Sequence, residues 1–154
     1  MVSFQTNIHM AQAGLSAYSL FHAYISITNL RKWESTSERA AQYSKTAAQE
    51  LHKTRTTQTS GALAILCSLS CALFTIGWPL DSASGRIALN AFNAGVCALA
   101  QLHVSNFWSQ KGKIPMVQSY NDAINSTLII KRQLGILAIA WLLTTLFEAL
   151  TLFA

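Results

Sequence analysis

Three long segments that are almost free of charge restrict the fold of this chain more than any other feature. They cover residues 61–80, 87–104 and 134–154, each holds 18 or more residues, and the only Asp, Glu, Lys or Arg in them is Glu148. About 20 apolar residues in an α-helix cross the roughly 30 Å of hydrocarbon in a bilayer. Helices of soluble proteins are usually shorter, at about 10–14 residues. We therefore interpret these segments as three transmembrane helices.

The overall composition also favours a membrane protein. Of the 154 residues, 51% are hydrophobic and 11% are charged, whereas about 25% of the residues in soluble domains are charged. So few charges would not solvate the surface of a soluble globule of this size. The lipid bilayer is therefore the first predicted partner. The excess of Lys and Arg, 11 against 6 acidic residues, is typical of membrane topology, and no nucleic-acid partner is predicted.

A fourth span is predicted over residues 11–30, although it is the most polar of the four. No Asp, Glu, Lys or Arg precedes Arg31. The polar residues of this segment recur at intervals of three or four and so share one face of a helix. They are Gln12, Ser16, Ser19, His22, Ser26 and Asn29. A polar stripe without charges is typical of a membrane helix that turns this stripe towards partner helices.

The two longer connections, 31–60 and 105–132, are predicted to be mainly helical. Residues 31–60 contain neither proline nor glycine, and Pro115 can begin an amphipathic helix that runs to Ile130. The sequence therefore predicts one all-α membrane domain over residues 1–154. Its expected form is an integral membrane four-helix bundle with up-down-up-down connectivity and two helical cytoplasmic connectors.

The distribution of Lys and Arg predicts the orientation. Ten of the eleven basic residues lie within 31–60 and 105–132, and the remaining one is Arg86. Because loops rich in Lys and Arg stay in the cytoplasm, both termini are predicted to be non-cytoplasmic. In a eukaryote we expect an endomembrane such as the endoplasmic reticulum, with the first span as its own insertion signal and no cleaved leader. The sequon at Asn125 is then cytoplasmic and is expected to stay unmodified.

Two stretches of thirteen residues share tyrosine, leucine and arginine at the same offsets. The first set is Tyr43, Leu51 and Arg55, and the second is Tyr120, Leu128 and Arg132. Each set lies on or near a basic connector, so duplication of a two-span unit is one interpretation. Chance similarity is the other, and the prediction of four spans depends on neither.

The first group of candidate functional residues is expected near the non-cytoplasmic side. At about 1.5 Å per residue, the carboxylate of Glu148 has a depth similar to that of three amides. These amides are Gln12, Asn90 and Asn93. Polar groups inside a bilayer usually face the interior of a bundle, so Glu148 is a candidate catalytic acid or base and the amides are candidate substrate-binding groups. Alternatively, Glu148 lies close enough to the C-terminus to reach interfacial water.

The second group is expected near the cytoplasmic side. His22 and His103 are candidate catalytic residues because imidazole carries protons near neutral pH. Four further side chains could bind an anionic or phenolic substrate there: Tyr43, Arg55, Tyr120 and Arg132. The ordinary alternative is that the arginines and tyrosines anchor helices at the membrane interface and that His22 binds a neighbouring helix.

No metal site is predicted, and the sequence assigns no cofactor. Cys67, Cys71 and Cys97 lie inside predicted spans without a CxxC pair, and we expect them to be small packing residues. His103 lies off the polar stripe of its span, which disfavours a haem or metal site shared with His22. Phosphate-binding loops, nucleophile elbows and HExxH motifs are absent from the sequence.

Two classes of function are consistent with these patterns. The first is a membrane enzyme that binds a small apolar metabolite and transforms it by isomerisation, cyclisation or oxygenation. In size and span count the chain resembles small four-span membrane enzymes that tailor hydrophobic metabolites, a resemblance of architecture alone. The second is a non-catalytic membrane subunit, assembly factor or scaffold whose polar stripes hold helices together. A second copy of the chain or another membrane protein is then the expected partner.

Overall fold

The computed structural model describes residues 2–112 and 118–151, and within these ranges the chain forms four helices and no strand. The helices are α1 (Val2–Tyr43), α2 (Lys45–Gly77), α3 (Ala83–Trp108) and α4 (Gln118–Leu150). The predicted all-α class is therefore confirmed. The shortest helix has 26 residues and the longest has 42, so every helix runs along most of the bundle.

A single residue, Ser44, separates α1 from α2. Its backbone is extended, with φ −144° and ψ 120°, and its Oγ accepts a hydrogen bond from the backbone N–H of Ala47 at 3.3 Å. A serine at this position satisfies one of the N–H groups that a helix start leaves unpaired. Because residues 31–60 contain no proline or glycine that would end a helix earlier, this polar segment forms a helical hairpin with Ser44 at its tip.

A short turn joins α2 to α3. α2 ends at Gly77, and Pro79 has no N–H with which to continue the helix. Ser82 then caps α3, because its Oγ accepts a hydrogen bond from the N–H of Gly85 at 3.3 Å. The turn therefore reverses the chain within a few residues and sets α3 antiparallel to α2.

The last helix differs from the prediction in one respect. The sequence predicts an amphipathic helix up to Ile130 and then a span that starts at residue 134, whereas α4 is continuous through both. The Lys-Arg-Gln sequence at 131–133 consists of favourable helix formers, so nothing there interrupts the backbone hydrogen bonds. The predicted helix start at Pro115 and the last three residues of the predicted span lie outside the described residues.

The four helices pack as an antiparallel bundle. Each helix contacts its neighbour in the chain, α1 also contacts α4, and α2 touches α4 across the centre. Within the described ranges the Cα atoms of α1 and α3 stay more than 8 Å apart, so these two helices lie on the longer diagonal of the bundle. Hydrogen bonds join Gln12 to Thr144 and Ser26 to Thr127, so α1 and α4 run in opposite directions. The connectivity of the bundle is up-down-up-down.

The outer surface of the bundle is apolar along α2, α3 and α4. Each of these helices has leucine or isoleucine residues that are more than half exposed, for example Leu63, Leu99 and Ile139. Among the described residues, these three helices are long and apolar enough to cross a membrane, and α1 is not among them. Such an apolar surface is compatible with contact to a lipid bilayer.

Gly61 marks a close approach between α2 and its neighbours in the core. A Cβ atom at this position would lie 3.4 Å from Val104 Cγ2 and 3.6 Å from Ile130 Cγ2. A methyl group would therefore fit, whereas a longer side chain would have to displace both neighbours. Gly14 of α1 has no atom within 4 Å of the corresponding position, so it provides a matched control.

We predict that Gly61→Leu lowers the stability of the bundle by about 1–3 kcal/mol, because overpacking forces side chains out of their preferred rotamers. The measurement is thermal unfolding in mild detergent, followed by circular dichroism. Gly14→Leu should leave the melting temperature unchanged. An unchanged melting temperature for Gly61→Leu would show that α2 does not pack this closely against α3 and α4.

Candidate functional site

The carboxylate of Glu148 is buried at the end of the bundle where α1 and α3 begin, with 1% of the residue exposed. Its Oε1 accepts a hydrogen bond from Gln5 Nε2 at 2.6 Å. Its Oε2 pairs with Arg86 Nε at 2.9 Å. A buried carboxylate is tolerated only when its charge is compensated in this way, so both oxygens of Glu148 are engaged.

Arg86 ties this end of the bundle together. Its Nη1 donates hydrogen bonds to the backbone carbonyls of Leu80 and Asp81 at 2.9 and 3.3 Å, while its Nε binds Glu148. One guanidinium thus connects the turn between α2 and α3 with the last helix. One-quarter of the Arg86 side chain is exposed, against 1% for Glu148, so the cation keeps some access to the surroundings and the anion does not.

A second polar layer lies one helical turn below Glu148. Gln12 Nε2 donates to Thr144 Oγ1 at 3.1 Å. His9 Nδ1 lies 2.8 Å from Gln12 Oε1, which can only accept, so His9 donates through this nitrogen. The His9 ring also packs against the indole of Trp141, with 5.6 Å between the ring centroids. All these side chains are buried and link α1 to α4.

A third polar layer centres on Ser68 of α2. Trp141 Nε1 donates to Ser68 Oγ at 2.9 Å, and Ser16 Oγ lies 3.0 Å from the same oxygen. All three residues are fully buried. Three helices therefore share one hydrogen-bonded group in the middle of the bundle, where each polar side chain has a partner on another helix.

Asn90 and Asn93 do not join Glu148 by hydrogen bonds, although the sequence predicts all of them in one layer. Asn93 Nδ2 donates to the backbone carbonyl of Leu89 at 3.0 Å, and its Oδ1 lies 3.8 Å from Cys67 Sγ. Asn90 is buried, and its Nδ2 has no partner within the described residues. Asn93 therefore makes one bond within α3 and one contact with α2. Both lie on the side of the bundle away from α1.

The opposite end of the bundle contains a cavity of about 540 Å³. It lies between the arm of α1 that follows residue 30 and the arm of α2 that precedes residue 60, and it is closed on one side by the ends of α3 and α4. The aromatic wall residues are Trp33, Trp108 and Tyr120, and the charged ones are Arg31, Glu34, Glu50, Arg55 and Lys111. Volumes of roughly 300–1,000 Å³ are typical of small-molecule sites.

Ion pairs join the walls of this cavity. Arg55 of α2 contacts both Glu34 and Glu38 of α1 at 2.6 Å, and Lys111, just after α3, pairs with Glu50 of α2. Hydrogen bonds to Glu34 and then Glu38 raise the pKa of Arg55, so it remains a cation. Because Arg55 and Glu38 are about half exposed, these pairs fix the spacing of the arms more than they stabilise the fold.

Buried hydrogen bonds form the floor of the cavity. Gln58 Nε2 donates to Thr127 Oγ1 at 2.9 Å, and this hydroxyl lies 2.7 Å from Ser26 Oγ. Trp108 Nε1 donates to Thr57 Oγ1 at 2.8 Å. Gln58 is 8% exposed and lines the cavity, and no donor within the described ranges binds its Oε1. This oxygen is therefore an acceptor that a ligand could use.

Two of the four side chains predicted to bind a substrate at this end line the cavity, namely Arg55 and Tyr120. The other two lie elsewhere. Tyr43 is 89% exposed beside the tip of the hairpin, and Arg132 is exposed on the outside of α4. The tyrosines and arginines of the two similar stretches, which suggested a duplication, therefore do not occupy equivalent positions in the bundle.

His22 and His103 also lie outside the cavity. His103 is exposed, and its Nδ1 is 3.0 Å from Ser60 Oγ. His22 is half-buried against the rings of Tyr18 and Phe21 on its own helix. Its Nδ1 is buried without a partner in the described part of the chain. The two imidazoles therefore have different partners on two diagonally opposed helices and do not share a site.

The sequence patterns miss several residues that the structure places at the centre of these layers. Gln5 and His9 continue the three-to-four spacing of the polar stripe on α1, so the stripe itself could have indicated them. Arg86 as the partner of Glu148 has no such signal, because the two residues are 62 positions apart. The cavity residues Trp33 and Lys111 likewise come together only through the packing of the arms.

No metal centre is apparent: within residues 2–112 and 118–151, no three His, Cys, Asp or Glu side chains are placed to hold one ion. Comparisons of the chain with protein-family models, curated proteins and solved structures found no match.

We predict that Arg86→Gln destabilises the bundle by about 3 kcal/mol, because it leaves the carboxylate of Glu148 buried without a cation. Glu148→Gln should lower the stability less, because one-quarter of the Arg86 side chain is exposed and its charge can reach water. Chemical unfolding in mild detergent measures both variants and the double variant. The double variant should be more stable than Arg86→Gln alone. If the stability losses of the two single variants add up in the double variant, the two residues do not act as a pair.

Proposed function

We propose that this chain is an integral membrane protein that crosses the bilayer four times and binds a small amphipathic molecule at its cytoplasmic end. The observation that carries this proposal is the cavity of about 540 Å³ between the arms of α1 and α2. Its walls combine aromatic surface with fixed charges, which suits a ligand that has an apolar body and a polar head.

The distribution of polarity supports the membrane assignment. Leu99 of α3 is 70% exposed, whereas Asn93 of the same helix is fully buried. A soluble protein would bury the leucine and expose the amide. α1 is included as a fourth span because its polar stripe is covered by α2 and α4, while Phe21 and Tyr24 are exposed on its outer face. Interhelical hydrogen bonds make such a polar stripe tolerable in hydrocarbon.

The basic residues support a cytoplasmic location for the cavity. Six of the eleven Lys and Arg residues lie within 31–60, the segment that forms the hairpin arms. Segments of this kind remain in the cytoplasm. Trp33, Trp108 and Tyr120 of the cavity wall are then expected at the level of the lipid head groups, where aromatic residues are enriched. A ligand could therefore enter from the membrane interface.

Binding is better supported than catalysis. Glu148, the predicted acid or base, lies at the other end of the bundle with both oxygens engaged. His22 and His103 are absent from the cavity wall, whereas Arg55 and Tyr120 belong to it. None of the three predicted catalytic residues lines the cavity, so an isomerase-, cyclase- or oxygenase-like activity stays a prediction.

The second candidate function is a non-catalytic subunit, assembly factor or scaffold. The layered hydrogen bonds around Ser68 and the ion pair of Arg86 with Glu148 favour it, because these contacts join helices and need no ligand. This function predicts that purification in mild detergent returns a partner protein in fixed stoichiometry. A chain that purifies alone as a monomer would count against it.

We predict that Ser44→Cys and Asp81→Cys are labelled from opposite sides of the membrane, because the proposed orientation places the hairpin tip in the cytoplasm. The measurement uses a membrane-impermeant maleimide on sealed microsomes, in a chain without its native cysteines. Ser44→Cys should react directly, and Asp81→Cys only after detergent is added. Direct labelling of both, or the reverse pattern, would contradict the proposed topology.

We predict that Ala47→Phe prevents ligand entry, because Ala47 lines the cavity and a phenyl group would fill part of it. Labelling by a diazirine-bearing amphiphile, mapped by peptide mass spectrometry, should fall at least about fivefold, which corresponds to roughly 1 kcal/mol of steric conflict. Ala48→Phe is the matched control, because Ala48 is exposed and lies outside the cavity wall. Equal labelling of the two variants would contradict binding in this cavity.

A further inference from the structure

The charges around the cavity are not evenly compensated. Lys111 and Glu50 pair with each other. Arg55 is shared by Glu34 and Glu38, so this group of three carries one negative charge in excess. Arg31 also lines the cavity, and no carboxylate within the described ranges pairs with it. Among the described residues of the wall, Arg31 is therefore a cation without a carboxylate partner, and Glu34 belongs to an acidic site that Arg55 neutralises incompletely.

These two sites follow each other along α1. Arg31 comes directly after the predicted span 11–30, and Glu34 and Glu38 lie farther along the same helix. At about 1.5 Å per residue, Glu34 is roughly 4.5 Å and Glu38 roughly 10 Å farther from the apolar part of the bundle than Arg31. A ligand that runs outwards along this wall therefore meets the positive charge first and the negative charge second.

The head group of a zwitterionic phospholipid has its charges in the same order. Its phosphate is attached to the glycerol that carries the acyl chains, and its amine lies beyond the phosphate at a distance of about 5 Å across a two-carbon link. Arginine binds phosphate well, and a carboxylate binds an ammonium group. An aromatic wall formed by Trp33 and Trp108 can also contact a cationic amine.

The apolar end of the cavity matches the rest of such a lipid. Ile27 and Leu30 line the cavity at the end of the predicted first span. A volume of about 540 Å³ is in the range of a small ligand and holds a head group with its glycerol rather than two full acyl chains. The chains would then continue along the exposed apolar surface of the bundle.

We infer that the ligand of this cavity is a zwitterionic phospholipid of the cytoplasmic leaflet, with its phosphate at Arg31 and its amine at Glu34. This assignment rests on the proposed function, since it names the class of amphiphile that the cavity selects. Gln58 Oε1, the free acceptor in the cavity floor, is available to a hydroxyl or ammonium group of the same ligand.

The test measures binding of defined lipids to the purified full-length chain by native mass spectrometry in mild detergent. Phosphatidylethanolamine supplies both charges, phosphatidylglycerol supplies the phosphate alone, and a dioleoyl trimethylammonium lipid supplies the cation alone. Phosphatidylethanolamine should bind about tenfold more tightly than either of the others, the effect expected from one charge-assisted contact. Equal or tighter binding of phosphatidylglycerol would overturn the inference.

Two variants locate the contacts. Arg31→Gln should weaken phosphatidylethanolamine binding about tenfold, because it removes the charge at the phosphate. Lys32→Gln is the matched control: it removes the same charge one position away, from a side chain that binds Asn29 outside the cavity wall. Glu34→Gln should abolish the preference over phosphatidylglycerol. If Arg31→Gln and Lys32→Gln weaken phosphatidylethanolamine binding equally, the lipid is attracted by the charge of the surface and not by a site at Arg31.

Two further outcomes separate this inference from the proposed function. If the three lipids bind the unmodified chain equally and Ala47→Phe weakens all of them, the cavity binds amphiphiles without selecting a head group, so the inference fails and the proposed function stands. If Ala47→Phe changes the binding of none, both fail. Soluble glycerophosphoethanolamine should compete only weakly. Competition as strong as that of the lipid would assign the site to a soluble phosphate ester and overturn the membrane source.

Discussion

The polar face of α1 is buried against α2 and α4, and this contact determines how the first helix joins the bundle. Ser16 meets Ser68 of α2, and Gln12 meets Thr144 of α4, all of them buried. An unpaired polar group in hydrocarbon costs roughly several kcal/mol, so these groups need one another in the membrane that we propose. By itself, α1 is not apolar enough to cross a membrane. Its hydrogen bonds to the other helices therefore hold it in the position that those helices determine.

The two ends of the bundle use charge differently. At one end, Arg86 and Gln5 engage both oxygens of Glu148, and the guanidinium also binds the turn between α2 and α3. At the other end, Arg55 joins the two hairpin arms and Lys111 joins the end of α3 to the arm of α2, and part of the charge around the cavity stays uncompensated. The first arrangement joins helices, and the second offers contacts to a ligand. For this reason we propose that function belongs to the basic end.

Sequence patterns predict the fold better than the site. Periodicity places Ser16, Ser26 and Gln12 on one face of α1 because a helix repeats every 3.6 residues, and the structure buries that face. Pairing between distant segments has no such local signal. The bond between Arg86 and Glu148 depends on which helices become neighbours, and the diagonal position of α3 separates Asn93 from α1. The cavity likewise depends on how two long arms pack, so only Arg55 and Tyr120 among its wall residues were predictable as candidates.

The proposed bundle places α1 inside the bilayer, and the accessibility of spin labels on this helix reveals whether it lies there. A nitroxide at Phe21→Cys, on the exposed face of α1, is compared in liposomes with one at Thr36→Cys on the hairpin arm. The label at position 21 should collide readily with oxygen and rarely with a water-soluble nickel chelate, and the label at position 36 should show the opposite. High accessibility to nickel at both positions would contradict a bundle of four spans.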